Sequence, residues 1–243
     1  MNAGLAFDNT APDLSQASLS RPLLAEVNLN QAAQAWRAEH ADLWVGKKNP
    51  LLIPENCQAM VNELHSRLGC PTWGGYLENR SELWAGSYLE KKNAFIHAGI
   101  DVNLPAGTEV RTTQPSRVLR VDNDYPEKHG WGVRVIMEPL VQIGEPVVII
   151  YAHLQKVSCG VGAVIGAGDS FAEIGDWAVT EHEGRKAWNG WWFQHLHIQA
   201  ASLPYYEQSL TSGIKALDGY FPESQLENFK AIFPNPSRFN PFR

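Results

Sequence analysis

The sequence predicts a mainly β protein: an antiparallel sheet or barrel-like sandwich with helical additions at both ends. Three observations carry that expectation. Between Trp73 and Ser202, short runs rich in Val, Ile and aromatic residues are punctuated by Gly, Pro and Asp turn signals. No helical period alternates with these runs, so a parallel α/β fold is not expected. Helical spacing appears only on the flanks. The expected organisation is therefore an arm with helices over 1–72, a β domain over 73–204 and a helical extension over 205–243.

In chain order, the first 27 residues lack periodicity and read as an irregular arm. Leu29, Ala33, Trp36, His40 and Leu43 then recur at helical spacing, with Asn28 or Asn30 as candidate N-cap. A second helix is expected over Pro54–Leu68, with Pro in its first turn, Cys57, Val61, Leu64 and Leu68 as its stripe, and Gly69 past its end. Strands are expected at Thr108–Thr113, Ser116–Asn123, Trp131–Glu138, Val147–His153, Val161–Ile165, Ser170–Ile174 and Trp192–Gln199. Helices return at Tyr205–Leu217 and Pro222–Phe233, where Leu226, Phe229 and Phe233 form an apolar stripe.

Composition narrows the function classes. The chain has 243 residues, 44% hydrophobic and 19% charged, enough for a large single core. A net charge of -6 and the absence of a basic run argue against a nucleic-acid partner. No segment approaches the ~20 apolar residues of a membrane span. Nothing before Arg21 resembles an export signal, so a cytoplasmic location is expected. Cys57, Cys70 and Cys159 are too few and too scattered for a disulfide framework and read as buried apolar residues or free thiols. The oligomeric state is not legible.

The chemistry gathers in three segments, His97-Ala98-Gly99-Ile100-Asp101, Tyr151-Ala152-His153-Leu154 and His195-Leu196-His197. Four imidazoles and one carboxylate suffice for an open three-ligand zinc site with two histidines left for proton transfer. On a strand, alternate residues share a face. His97, Gly99 and Asp101 would point one way while Ile96, Ala98, Ile100 and Val102 pack inward. His195 and His197 would likewise oppose Leu196 and Ile198. A lone H-x-H is a weak signal, but three such segments on strand-like patterns are specific in combination. His40, His65, His129, His182 and Glu181 have no such company and read as structural or solvated residues.

These segments, in this order, resemble the signatures of lysostaphin/LytM-type zinc endopeptidases. Asp101-Val-Asn-Leu-Pro-Ala-Gly-Thr108, Val161-Gly162 through Gly166-Ala167-Gly168, and Ile174-Gly175 also resemble that family's connecting text. The resemblance covers about residues 94 to 200 and implies a groove across an antiparallel sheet. It further implies one Zn2+ per chain held by His97, Asp101 and His197, with His153 and His195 as the catalytic pair. One stretch departs: the usual short Gly/Ser/Thr-rich approach to H-x-H is replaced by a longer segment, Asp176 to Gln194. Trp188, Trp191 and Phe193 within it are candidates for lining the substrate or, equally, for simple packing, and Trp192 is expected to face the core.

A second resemblance rests on Gly74-Gly75-Tyr76-Leu77-Glu78-Asn79-Arg80, Gly219-Tyr220-Phe221-Pro222 and Phe233-Pro234-Asn235-Pro236. These are similar to the middle domain of large bacterial proteins in which a LytM-like domain lies between kinase-like and aminotransferase-like domains. The expected function is zinc-dependent hydrolysis of a peptide or amide bond. The substrate is either a peptidoglycan cross-bridge or a small cytoplasmic peptide or amide. The alternative is a non-catalytic LytM-like module that binds and regulates a partner.

Overall fold

A computed structural model describes residues 24–44, 48–124, 130–176, 180–182, 185–187, 192–212 and 218–243. Helix α1 (Leu29–Glu39) begins where the Asn28 side chain accepts a hydrogen bond from the Gln31 amide. Helix α2 (Pro54–Leu68) has Pro in its first turn and ends at Gly69, whose φ of 70° suits the left-handed cap. Both match the spacing-based expectation. So do the main strands, with boundaries shifted by a few residues at several ends.

The strands in chain order are β1 (Ala25–Glu26), β2 (Thr72–Gly74), β3 (Ile96–His97), β4 (Ile100–Asn103), β5 (Glu109–Arg111), β6 (Ser116–Asp124) and β7 (Gly132–Pro139). They continue as β8 (Val147–Gln155), β9 (Val164–Ile165), β10 (Ser170–Ile174), β11 (Thr180–His182), β12 (Arg185–Ala187), β13 (Leu196–Ser202) and β14 (Tyr220–Phe221). A ten-stranded sheet runs β1-β2-β4-β13-β8-β7-β6-β9, with β10 joining β5 to β8. Its pairs are antiparallel except β1–β2, which is parallel. Strand β1 lies inside the stretch expected to be irregular. It has only two residues, too short for alternation to register, and forms because Ala25 and Val27 donate to Pro71 and Trp73 carbonyls.

Strand β8 is apolar from Val147 to Ala152 because both of its faces are covered there. Val147, Ile149 and Tyr151 pack in the main core with Val135, Phe171 and Leu196, while Val148 and Ile150 pack beneath Tyr206 and Phe233. The covering elements are α3 (Leu203–Ser212) and α4 (Leu226–Ile232). Phe229 supplies part of the expected stripe, with its ring 4.2 Å from Phe221 and 5.4 Å from Phe233. A third cluster joins α1 and α2 to Leu83, Trp84, Phe95 and Phe193. Cys57 is buried within it, and all three cysteines are free thiols.

Two departures from simple alternation shape the site. The stretch from Ile96 to Asn103 is two strands, broken at Ala98 and Gly99. Ile96 and Ala98 pack beneath α3 and α4, whereas Ile100 and Val102 pack in the main core. The last histidine strand begins at Leu196, four residues later than expected. Gln194 donates its amide to the Gln58 side chain of α2, and Trp192 and Phe193 are drawn into the helical cluster. Pairing with β4 starts only at Leu196 opposite Val102.

Candidate metal centre

Strands β3, β4 and β13 bring His97, Asp101 and His197 together, with their donor atoms all within 4.8 Å of one another. His197 lies directly across from Asp101 in the β13–β4 register. Its Nδ1 is 3.0 Å from Asp101 Oδ1 and 3.1 Å from His97 Nε2, while His97 Nε2 is 3.6 Å from Oδ1. All three residues are buried. Gly99 permits this approach, because a methyl group there would stand 2.6 Å from His197 Cε1.

The outer ring atoms set the tautomers. His97 Nδ1 lies 3.0 Å from the Gly75 carbonyl, which only accepts, so the neutral ring carries its proton there and leaves a lone pair on Nε2. His197 Nε2 faces Gln199 Oε1 at 3.3 Å, and a proton there leaves Nδ1 bare, whereas a proton on Nδ1 is donated to Asp101 Oδ1 at 3.0 Å. Burial, then the Arg80 charge, holds the His97 pKa well below its usual value. Burial pushes the Asp101 carboxyl up, but His97, Arg80, His195 and the His197 hydrogen bond outweigh it and keep the group ionised. With the His197 proton on Nε2, two ring nitrogens and one carboxylate oxygen converge as acceptors. That donor set fits a zinc ion, which takes imidazole nitrogen and carboxylate oxygen.

His195 and His153 stand beside this cluster. Their rings are 4.5 Å apart, and His195 Nε2 is 3.6 Å from Asp101 Oδ1. His195 Nδ1 lies 2.8 Å from the Phe193 carbonyl, so the neutral ring presents a basic Nε2 to the site. His153 owes its place to a bulge. Two steps along β7, from Val133 to Val135, span three along β8, from Leu154 to Tyr151. His153 takes a φ of 61° there, which swings its side chain out of the Tyr151 row. Burial lowers the pKa of both rings, and the neighbouring His195 and His197 lower that of His153 further.

Phe193 is a core residue, 1% exposed, with its ring 4.5 Å from that of His195. Trp192 packs 4.2 Å from Trp84 in the same cluster, so the two do not take opposite faces as strand alternation predicts. The turn over 192–195 is the reason. Trp188, Trp191 and His129 lie outside the described residues, as do the side chains of Glu181 and His182. His65 bonds Thr72, and His40 stacks on Trp36. Glu39, His40 and Glu63 also come within ligand distance, but they are at least partly exposed and Arg67 pairs with both carboxylates.

Several neighbours of the centre carried no chemical signal in the sequence. Arg80, 1% exposed, donates to Asp101 Oδ2 at 2.6 Å, and Trp131 meets His197 edge-on at 4.8 Å. The segment 77–80 runs along one side of β3, with Leu77 donating to His97 and His97 to Glu78. Strand β14 flanks β3 as well, Tyr220 opposite His97. Both segments fall in the Gly74–Arg80 and Gly219–Pro222 stretches of the second resemblance, which was the one available pointer to them.

Residues 95–203 match the model of peptidase family M23. The match covers less than half of the chain. The match coincides with the resemblance to lysostaphin/LytM-type enzymes over about residues 94 to 200. Among solved structures, the chain is similar to lysostaphin at 21% identity, covering 44% of this chain and 37% of that one with a TM-score of 0.33. For LytU the values are 22%, 57%, 80% and 0.34. For a zinc-containing peptidase from Vibrio cholerae they are 23%, 44%, 27% and 0.32. The chain therefore spans well under half of the lysostaphin chain. No curated protein matches it. Within the M23 segment lie all five of His97, Asp101, His153, His195 and His197. Arg80 and Tyr220 lie outside it. No helix among the described residues is long and apolar enough to cross a membrane.

Proposed function

We propose that this protein is a zinc-dependent hydrolase of peptide or amide bonds, with His97, Asp101 and His197 holding one Zn2+ per chain. The observation that carries the reading is the convergence of two imidazole nitrogens and Asp101 Oδ1 within 3.0 to 3.6 Å. Imidazole lone pairs and a carboxylate at that spacing repel one another unless a cation or a shared proton sits among them, and a metal ion satisfies all three at once. Zinc there would supply Lewis-acid polarisation of a scissile carbonyl and acidify water beside it.

His195 and His153 then move the protons. A neutral His195 with its lone pair on Nε2 is able to accept a proton from water. Between them the two rings return one to the departing amine as the carbon–nitrogen bond breaks. Their depressed pKa values keep both rings neutral at physiological pH, ready to act as bases. The substrate is inferred to be a short peptide or small amide, because the ligands themselves lie deep in the protein: His97, Asp101 and His197 are 1%, 2% and 4% exposed.

Metal analysis by mass spectrometry on protein purified without chelator tests the assignment. Wild type is expected to carry one zinc per chain, and His97→Ala and Asp101→Ala to lose it while remaining folded. Equal zinc in all three would sink the reading. Stoichiometric zinc without turnover on any peptide would instead favour a binding module.

A further inference from the structure

We propose that Arg80, braced by Tyr220, is a positioning residue that confines Asp101 to a single metal-facing oxygen. The proposal rests on the zinc reading above. Asp101 divides its two oxygens between different partners. Oδ1 faces the three histidine nitrogens at 3.0 to 3.6 Å, and Oδ2 is taken by Arg80 Nη1 at 2.6 Å. A carboxylate beside zinc binds through one oxygen or two. Here the second is already held in a charge-assisted hydrogen bond.

The brace continues outward. The Tyr220 hydroxyl accepts from Arg80 Nη1 at 3.0 Å and from Trp84 Nε1 at 2.8 Å. Glu78 lies 3.7 Å from Arg80 Nε. The Arg80 backbone is fixed as well, its amide bonding Phe95 and its carbonyl accepting from Trp84. Gly75 packs so closely that a methyl group there would overlap Arg80 Nη2. The guanidinium is thus packed against the Gly75 backbone while Nη1 bonds Asp101 and Tyr220. Its positive charge offsets that of Asp101, so the centre retains more of the metal's charge for polarising a carbonyl. Partners of this kind, one step behind the ligands, orient them and tune the metal.

Cobalt(II) in place of zinc reads coordination number through its visible absorption. In Arg80→Gln, the chain should still take up one cobalt, but with weaker and shifted bands as Oδ2 is released towards the ion. Zinc affinity from chelator competition should fall about 10- to 100-fold. Tyr220→Phe keeps the ring and removes only the hydroxyl, and it should shift both readouts the same way by less. If Arg80→Gln does not fold, Tyr220→Phe decides. A wild-type cobalt spectrum with wild-type zinc affinity in either folded variant would overturn the proposal. Failure of the zinc reading itself shows separately, as wild-type protein that takes up no stoichiometric cobalt, and it removes this proposal too.

Discussion

Gly99 and His197 are in near-contact: a Cβ on Gly99 would stand 2.6 Å from His197 Cε1 and equally close to the Ile198 carbonyl. The candidate ligand on β13 therefore packs on a residue without a side chain between β3 and β4. Gly99→Ala should cost about 1 to 3 kcal/mol through overpacking. It should also reduce zinc retention by displacing the imidazole. Gly160→Ala, where nothing lies within 4 Å of the new methyl, is the control and should leave both unchanged. Thermal melts and metal content of the two variants check this; equal behaviour would contradict the packing argument.

His153→Ala and His195→Ala should keep zinc and lose turnover by about 100- to 10,000-fold, the usual contribution of a general acid or base. Loss of metal together with activity in either variant would show that a ligand had been assigned to proton transfer.

Stability of the metal-free chain should fall as the pH drops below about 6.5. His97, His153 and His195 have folded pKa values below the usual 6.5, so below that pH the unfolded chain binds protons that the folded chain does not. Above it both states are neutral and the effect vanishes. Each histidine contributes a slope of up to about 1.4 kcal/mol per pH unit. Asp101, also depressed, adds loss of the same sign at lower pH. Urea denaturation in chelator between pH 7.5 and 5 measures the slope, and a flat profile would refute it.

Short soluble peptides or simple amides should be cleaved faster than purified sacculi, given how little of the ligand set is exposed. Rapid release of muropeptides from sacculi would reverse that expectation and point to wall remodelling.

The histidine and aspartate positions were legible because β4 and β13 obey alternation: Leu196 and Ile198 face the main core while His197 faces Asp101. His153 was legible as a residue but not as a direction. Alternation from Tyr151 would bury it in the core, and the bulge that turns it out depends on how β8 pairs with β7, which no local pattern encodes. Phe193 departs from alternation for a related reason. Its strand starts later than its β-favouring residues suggest, because helix α2 captures Gln194 first. Arg80 and Tyr220 lie 21 and 119 positions from Asp101, a separation read off their numbers, and no periodicity links residues so far apart.

The pairing of β14 with β3 bears on how this protein can be divided. Cutting at the limits of the M23 match would yield a fragment with every proposed ligand and both histidines proposed to move protons. It would lack the strand beside His97, the arginine on Asp101 and the carbonyl on the outer nitrogen of His97. Such a fragment would keep every proposed ligand and lose the contacts that hold two of them in place. A fragment that keeps those contacts reaches at least from Gly75 to Phe221.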